Sequence, residues 1–253
     1  MVTTGQPAQR TDSPEDAAGG HLAGMRNSLQ HMSTTLPLFP LGSVLYPGLV
    51  LPLHVFEDRY RELVADLLAG PEPRQFGVIA IRQGRETGVD GVSSLYQTGC
   101  TAVLQRAERY DDGRYDLVTV GGQRFTLLEL NQPSPYFTGQ VDLLSDDDGD
   151  DGEAAIVVPA VQQAFRSYLD VLAERGGAHI TLPELPDEPL MLSYLVAAAV
   201  VVDVPVKQGL LEEADAARRL AAERALLGRE MQLLKSVPAT PATQLRFSPY
   251  SQN

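Results

Sequence analysis

Residues 36–60, LPLFPLGSVLYPGLVLPLHVFEDRY, join a proline-punctuated apolar run to an acid-led segment of helical period. Pro37, Pro40, Pro47 and Pro52 each lack a backbone donor and restrict the residue before them, so residues 36–53 read as short strands and turns rather than helix. At Phe56 the pattern changes. FEDRYRELVADLLAG puts Tyr60, Leu63, Val64, Leu67 and Leu68 on one face, acidic Glu57 and Asp58 at the positive end, and Gly70 with Pro71 at the stop.

Outward from this segment, residues 34–144 read as a β-rich unit with one early helix and turn signals at 88–91, 111–113 and 121–122. The clearest hairpin joins 101–108 to 114–120 through Asp112 and Gly113, because an Asp-Gly pair supplies the positive φ of a tight turn. A second reversal is expected at Gly121 and Gly122. It leads into 124–130, where Phe125 and Leu127 share one face and Leu128 and Leu130 the other. Strand periodicity alone admits several barrels and sandwiches.

The acidic run SDDDGDDGE, residues 145–153, invites a calcium reading, but the spacing fails. An EF-hand loop begun at Asp146 would place Asp151 where glycine belongs and Val157 where glutamate belongs. A solvated linker is the expectation. Beyond it, residues 154–236 turn helical: Val157, Val161, Phe165, Tyr168, Leu169 and Leu172 form a stripe ended by Gly176 and Gly177. Residues 188–202 are apolar nearly all round, as in a helix buried on most sides. After a break at Pro205 comes one long amphipathic helix, with Leu210, Leu211, Leu220, Leu227 and Met231 inward and Arg218, Arg219 and Glu223 among the polar residues around them. Residues 1–33 and 237–253 read as disordered and flexible tails by composition, with Met25 or Met32 as the expected true start.

Several segments, in order, carry a family resemblance: LPLFPLGSVLYPG (36–48), LPLHVFEDRY (51–60), FGVIAI (76–81), GCTAVLQ (99–105), DGRYDLVTVGGQRF (112–125), PYFTGQV (135–141) and KQGLLEEADAARRLAAERALL (207–227). Together they resemble the N-terminal substrate-binding domain of Lon protease, a module that also occurs in cereblon and alone in small bacterial proteins. The resemblance covers about residues 36–234. It implies an α+β chain: a PUA-like antiparallel pseudo-barrel followed by an α-helical bundle.

Composition narrows the function. The 253-residue chain has 43% hydrophobic residues, enough for a substantial core, and a formal net charge of −13, which argues against nucleic acid and anionic membranes as partners. Arg106, Arg109, Arg114 and Arg124 are interleaved with acids and read as a mixed solvated sheet face. The single cysteine, Cys100, excludes an internal disulfide and reads as a buried, inert thiol. The first thirty residues contain no run resembling a signal peptide, and 190–202 is too short to span a bilayer, so a cytoplasmic location is expected.

Chemistry is scarce. Lys207 and Lys235, the only lysines, follow Val206 and Leu234, so no GxxxxGK[ST] phosphate loop exists. A serine–lysine peptidase pair with Ser193 or Ser236, and a hydrolase built on Cys100 or His54 near Glu57, are the weaker readings. No cofactor and no metal are expected. The resemblance implies a non-catalytic module that binds unfolded or extended polypeptide, with a separate ATP-dependent protease as a further partner. Its candidate surface joins Tyr46 and Leu49 as apolar contacts to Glu57, Asp58 and Arg59 as polar ones. The alternative is a regulator whose barrel mouth holds a small molecule or nucleotide.

Overall fold

Proline placement explains the first two strands of the computed structural model, which describes residues 33–84, 92–131, 135–176 and 184–236. Of the tail expected at 1–33 all but Ser33, together with the tail expected at 237–253 and the turn at 88–91, lies outside the described residues. β1 (Thr34–Leu41) and β2 (Val50–Val55) flank a turn with Gly48 at φ 77°. The Gly121 N–H donates to Leu49 O at 2.8 Å, so alternation turns the main-chain groups of Leu51, Leu53 and Val55 toward the neighbouring strand and those of Val50, Pro52 and His54 away. Pro52 therefore has its missing donor on the open side of the strand.

Helix α1 (Asp58–Ala69) begins with Glu57 in extended backbone and stops at Gly70, burying Tyr60, Leu63 and Val64. Next come β3 (Gln75–Gly84), β4 (Val92–Arg109), β5 (Tyr115–Asn131) and β6 (Thr138–Leu143). The sheet order is β2-β5-β4-β3-β1-β6, and β6 also pairs with β5. β5, β4, β3, β1 and β6 thus close a ring, leaving β2 paired with β5 alone among the described residues. Every pairing is antiparallel except β1 with β3, whose crossover holds β2 and α1. Val78 and Ile79 show the alternation of faces. Ile79 joins Leu38, Phe125 and Val141 in one core, while Val78 joins Phe39, Tyr60 and Leu63 in another against α1.

The Asp112–Gly113 hairpin forms as read, with Gly113 at φ 85°. Gly121 and Gly122 do not reverse the chain; β5 runs through them. Their role is clearance. A Cβ on Gly121 would lie 2.0 Å from the Tyr46 carbonyl oxygen, and one on Gly122 would lie 2.5 Å from Thr101 Oγ1. Both sit where the β4–β5 register shifts between Cys100 and Ala102. Gly121→Ala is expected to destabilise the fold by about 1–3 kcal/mol, since a backbone carbonyl yields less than a side chain; urea denaturation beside wild type measures it.

Most of the acidic run is exposed, as in a solvated linker, but its acids also have structural partners. The Asp146 carboxylate accepts from buried Arg124 at 2.5 Å, Asp147 pairs with Asp215 in a parallel bridge, and the Asp150 carboxylate accepts from the N–H groups of Gly152 and Glu153 at 2.9 and 3.0 Å. That cap opens α2 (Asp151–Gly176), so the helix starts inside the run. α3 (Pro189–Ala199) follows, with Met191 on its exposed side. The last amphipathic segment is two helices, α4 (Val204–Glu212) and α5 (Ala216–Ser236). Asp215 breaks them apart by accepting from the Arg218 N–H at 2.9 Å, while Arg219 fills the joint.

Arg124, Arg219 and Glu223, read as surface residues, are all buried. Neither Glu223 carboxyl oxygen has a hydrogen-bond partner among the described residues, and burial pushes this carboxyl well above the carboxylate range, with Arg219 one turn away opposing the shift. The folded form therefore keeps a proton that the unfolded chain releases near pH ~4.3, so this stabilisation is full below that pH and is lost as pH rises through the folded value. Glu223→Gln is expected to remove that slope. Thermal unfolding of both proteins at about pH 5 and about pH 8 should show the variant gaining on wild type at the higher pH.

Candidate functional site

β2 leads into α1 through Phe56 and Glu57, and this strand and its junction with α1 carry exposed apolar side chains. Val50 is 64% and Phe56 53% exposed. A cavity of about 210 Å³ opens beside Phe56, walled by Phe39 and Leu41 of β1, Leu53 and Val55 of β2, and Phe56 and Tyr60; Val50, at the other end of β2, does not line it. The Phe39 and Tyr60 rings stack at 4.1 Å between centroids and brace its wall. Alternation along β2 explains the exposure: Leu51, Leu53 and Val55 face the core, leaving Val50, Pro52 and His54 outside.

The rim is polar and mutually paired. His54 Nδ1 lies 2.6 Å from Asp116 Oδ1, the Tyr110 hydroxyl donates to Asp116 Oδ2 at 2.5 Å, and Arg114 Nη1 lies 3.3 Å from His54 Nε2. The hydrogen bonds from Tyr110 and His54 hold the Asp116 carboxyl below its usual range, and the same carboxylate raises the Tyr110 hydroxyl. At the start of α1, Arg59 pairs with Glu57 at 3.0 Å and lies 4.6 Å from the Tyr60 ring centroid. Asp58, 90% exposed at its side chain, pairs with Arg61 at 2.9 Å, and Arg61 Nε donates to Gly113 O.

The expected surface is therefore divided. Glu57, Asp58 and Arg59 cluster at the α1 start, but Tyr46 is fully buried in the helical core and donates to the Lys207 carbonyl at 2.9 Å. This corrects its reading as an exposed apolar contact: the Tyr46–Gly48 backbone presses on Gly121, and the ring is left among the helices near Tyr194. Leu49 is half-buried against the same core. Phe56, Pro52 and Leu53 take their place at the junction, with Val50 exposed at the other end of β2; the signal for them was the period-two alternation running up to Phe56.

Elsewhere the reactive side chains are engaged in structure. Cys100 is buried, its thiol pushed up by desolvation. His54 is on the surface, so the two do not meet. Lys207 Nζ donates to Ala198 O at 2.7 Å, and Ser193 Oγ donates to Leu190 O while accepting from Arg219. Among the described residues no group of three or more His, Cys, Asp or Glu side chains is placed to hold a metal, and no helix is long and apolar enough to cross a membrane.

The model of the ATP-dependent protease La (LON) substrate-binding domain matches residues 35–229. This chain belongs to that family. It is 30% identical over 208 residues to the Lon protease of Anaeromyxobacter dehalogenans (strain 2CP-C), covering 81% of this chain and 24% of that protein. Lon protease 2 of Myxococcus xanthus is 31% identical over 202 residues, with 79% and 24% covered. The Lon-family chain thus spans about a quarter of these relatives, and the match is confined to their substrate-binding region, with no protease or ATPase domain matched. The Lon N-terminal domain protein from Xanthomonas campestris superposes at a TM-score of 0.53 with 25% identity, covering 81% of this chain and 99% of that one. The N-terminal domain of Mycobacterium avium complex Lon protease gives 0.56 at 16% identity, a likeness of fold.

Proposed function

We propose that this Lon-family domain is a non-catalytic, cytoplasmic module that binds unfolded or extended polypeptide at the β2–α1 junction and presents it to a separate ATP-dependent protease. The observation that carries the reading is exposed Phe56 beside an apolar cavity, at the end of a strand whose other end exposes Val50. Apolar side chains grouped in this way lose water only when a partner covers them. Glu57, Asp58 and Arg59 then serve as a polar rim that orients the bound chain. Family membership supports a polypeptide as the ligand. At about 210 Å³ this cavity is below the ~300–1,000 Å³ usual for small-molecule sites, which disfavours a metabolite as its own occupant.

A fluorescent, reduced and carboxymethylated protein that cannot refold is the probe. It is expected to bind the intact domain, whereas its native, disulfide-intact form does not. Val50→Thr with Phe56→Ser is expected to weaken binding about tenfold or more, as for loss of a central apolar anchor, with an unchanged thermal midpoint. Equal affinity of the variant and the intact domain would remove this surface from the account.

A further inference from the structure

We propose that the polypeptide binds as an added β-strand along the outer edge of β2, with one bulky apolar side chain seated between Phe39, Leu53, Phe56 and Tyr60. The inference rests on the polypeptide-binding reading above and adds the mode of recognition. β2 pairs only with β5 among the described residues, and the groups of Val50, Pro52 and His54 point away from β5. That edge presents the carbonyls of Val50, Pro52 and His54, but the N–H groups of Val50 and His54 alone. Such groups gain only from a chain whose own main-chain groups are unpaired, which means an extended segment, since a helix has already satisfied its own.

Cavity and edge adjoin. Leu53, Val55 and Phe56 line the cavity, while the open edge of β2 passes it at Pro52 and His54. A strand pairing there alternates its side chains, so one can enter the cavity while the next points to solvent. The space holds one large side chain and excludes a helix of about 10–12 Å diameter. Pro52 also gives the edge a reason to stay monomeric: a copy of β2 laid on β2 would meet a missing donor in both strands. The occupant is therefore an extended foreign segment, free of proline at the paired positions, with a phenylalanine, leucine or residue of like size at the anchor.

Two variants and a peptide series test this. The probe is a labelled peptide of about ten residues, alternating threonine and valine around a central phenylalanine. N-methylation at alternate residues, whose N–H groups face β2, is expected to weaken binding about tenfold or more per site, while methylation at the intervening residues leaves it near the parent value. His54→Pro removes an outward donor at an exposed edge position and is expected to reduce affinity. His54→Thr loses the same side chain but keeps that donor, so it is the reference: His54→Pro is expected to bind several-fold more weakly than His54→Thr, with the two variants melting alike. If the parent peptide binds and Phe56→Ser abolishes binding, but N-methylation and His54→Pro change nothing, strand addition is overturned while polypeptide binding stands. If neither the peptide nor the unfolded protein binds the intact domain, both readings fall.

Discussion

Arg219→Met is expected to lower the unfolding free energy by about 3–5 kcal/mol, while Arg218→Met, one residue away, changes it by no more than about 0.5 kcal/mol. The contrast comes from burial and the hydrogen bonds that go with it. Arg218 is 73% exposed at its side chain, whereas Arg219 is fully buried at the joint between α4 and α5. Its Nε donates to Leu210 O at 2.9 Å, Nη1 to Ser193 Oγ at 2.7 Å, and Nη2 to Glu213 O and the Tyr194 hydroxyl, with the guanidinium 4.1 Å from the Tyr194 ring centroid. Leu210 and Glu213 lie at the end of α4, where carbonyls have no partner within the helix. Methionine fills similar space but leaves those acceptors dry, so the loss includes their desolvation as well as the hydrogen bonds. Urea denaturation of both variants beside wild type reads the difference.

The second large effect is expected where barrel meets helices. Arg124 leaves β5 to donate to Asp146 at 2.5 Å, to Leu211 O of α4 at 2.9 Å and to Ser145 O at 3.2 Å; Asp146 also accepts from the Tyr194 hydroxyl at 2.7 Å. Asp146→Leu strands a buried guanidinium at about 3–5 kcal/mol, and Arg124→Met strands a partly buried carboxylate at somewhat less. Combining them removes both charges, so the double variant is expected to lose well under the sum of the single losses. A double-mutant cycle by chemical denaturation checks this: strict additivity would mean that Arg124 and Asp146 act independently, against the geometry.

Much of this fold was legible because its signals are local. Prolines 37, 40 and 52 marked extended chain, Gly70 stopped α1, and Asp112 with Gly113 made a hairpin, each acting through its own backbone. The misreadings share a different origin. Gly121 and Gly122 looked like a turn, yet their small size answers to Tyr46 and Thr101, far away in sequence. Arg219 and Glu223 looked solvated because their neighbours in a helical wheel are charged, but Arg219 is met by Ser193 of α3 and Leu210 of α4, and Glu223 is buried one turn away. Acids 146, 147 and 150 looked like one charge run, although tertiary structure gives one an ion pair, one a bridge and one a helix cap. At the candidate site the α1 start was visible as a cluster, but Tyr46 was not separable from it: sequence distance to Phe56 is short, while the ring faces the opposite core. A one-residue alternation, Val50 against Leu51, carried the better signal.

What matters most for function is where an unfolded chain touches this domain. Photo-crosslinking answers that directly, using a permanently unfolded polypeptide carrying a benzophenone-bearing phenylalanine analogue, followed by mass-spectrometric mapping of the adducts. Adducts at residues 50–56 and at Tyr60, lost in the Val50→Thr, Phe56→Ser variant, are the predicted result. Adducts concentrated instead on the groove of the helical half, at Val201, Val206 and Leu233, and unchanged in that variant, would contradict it.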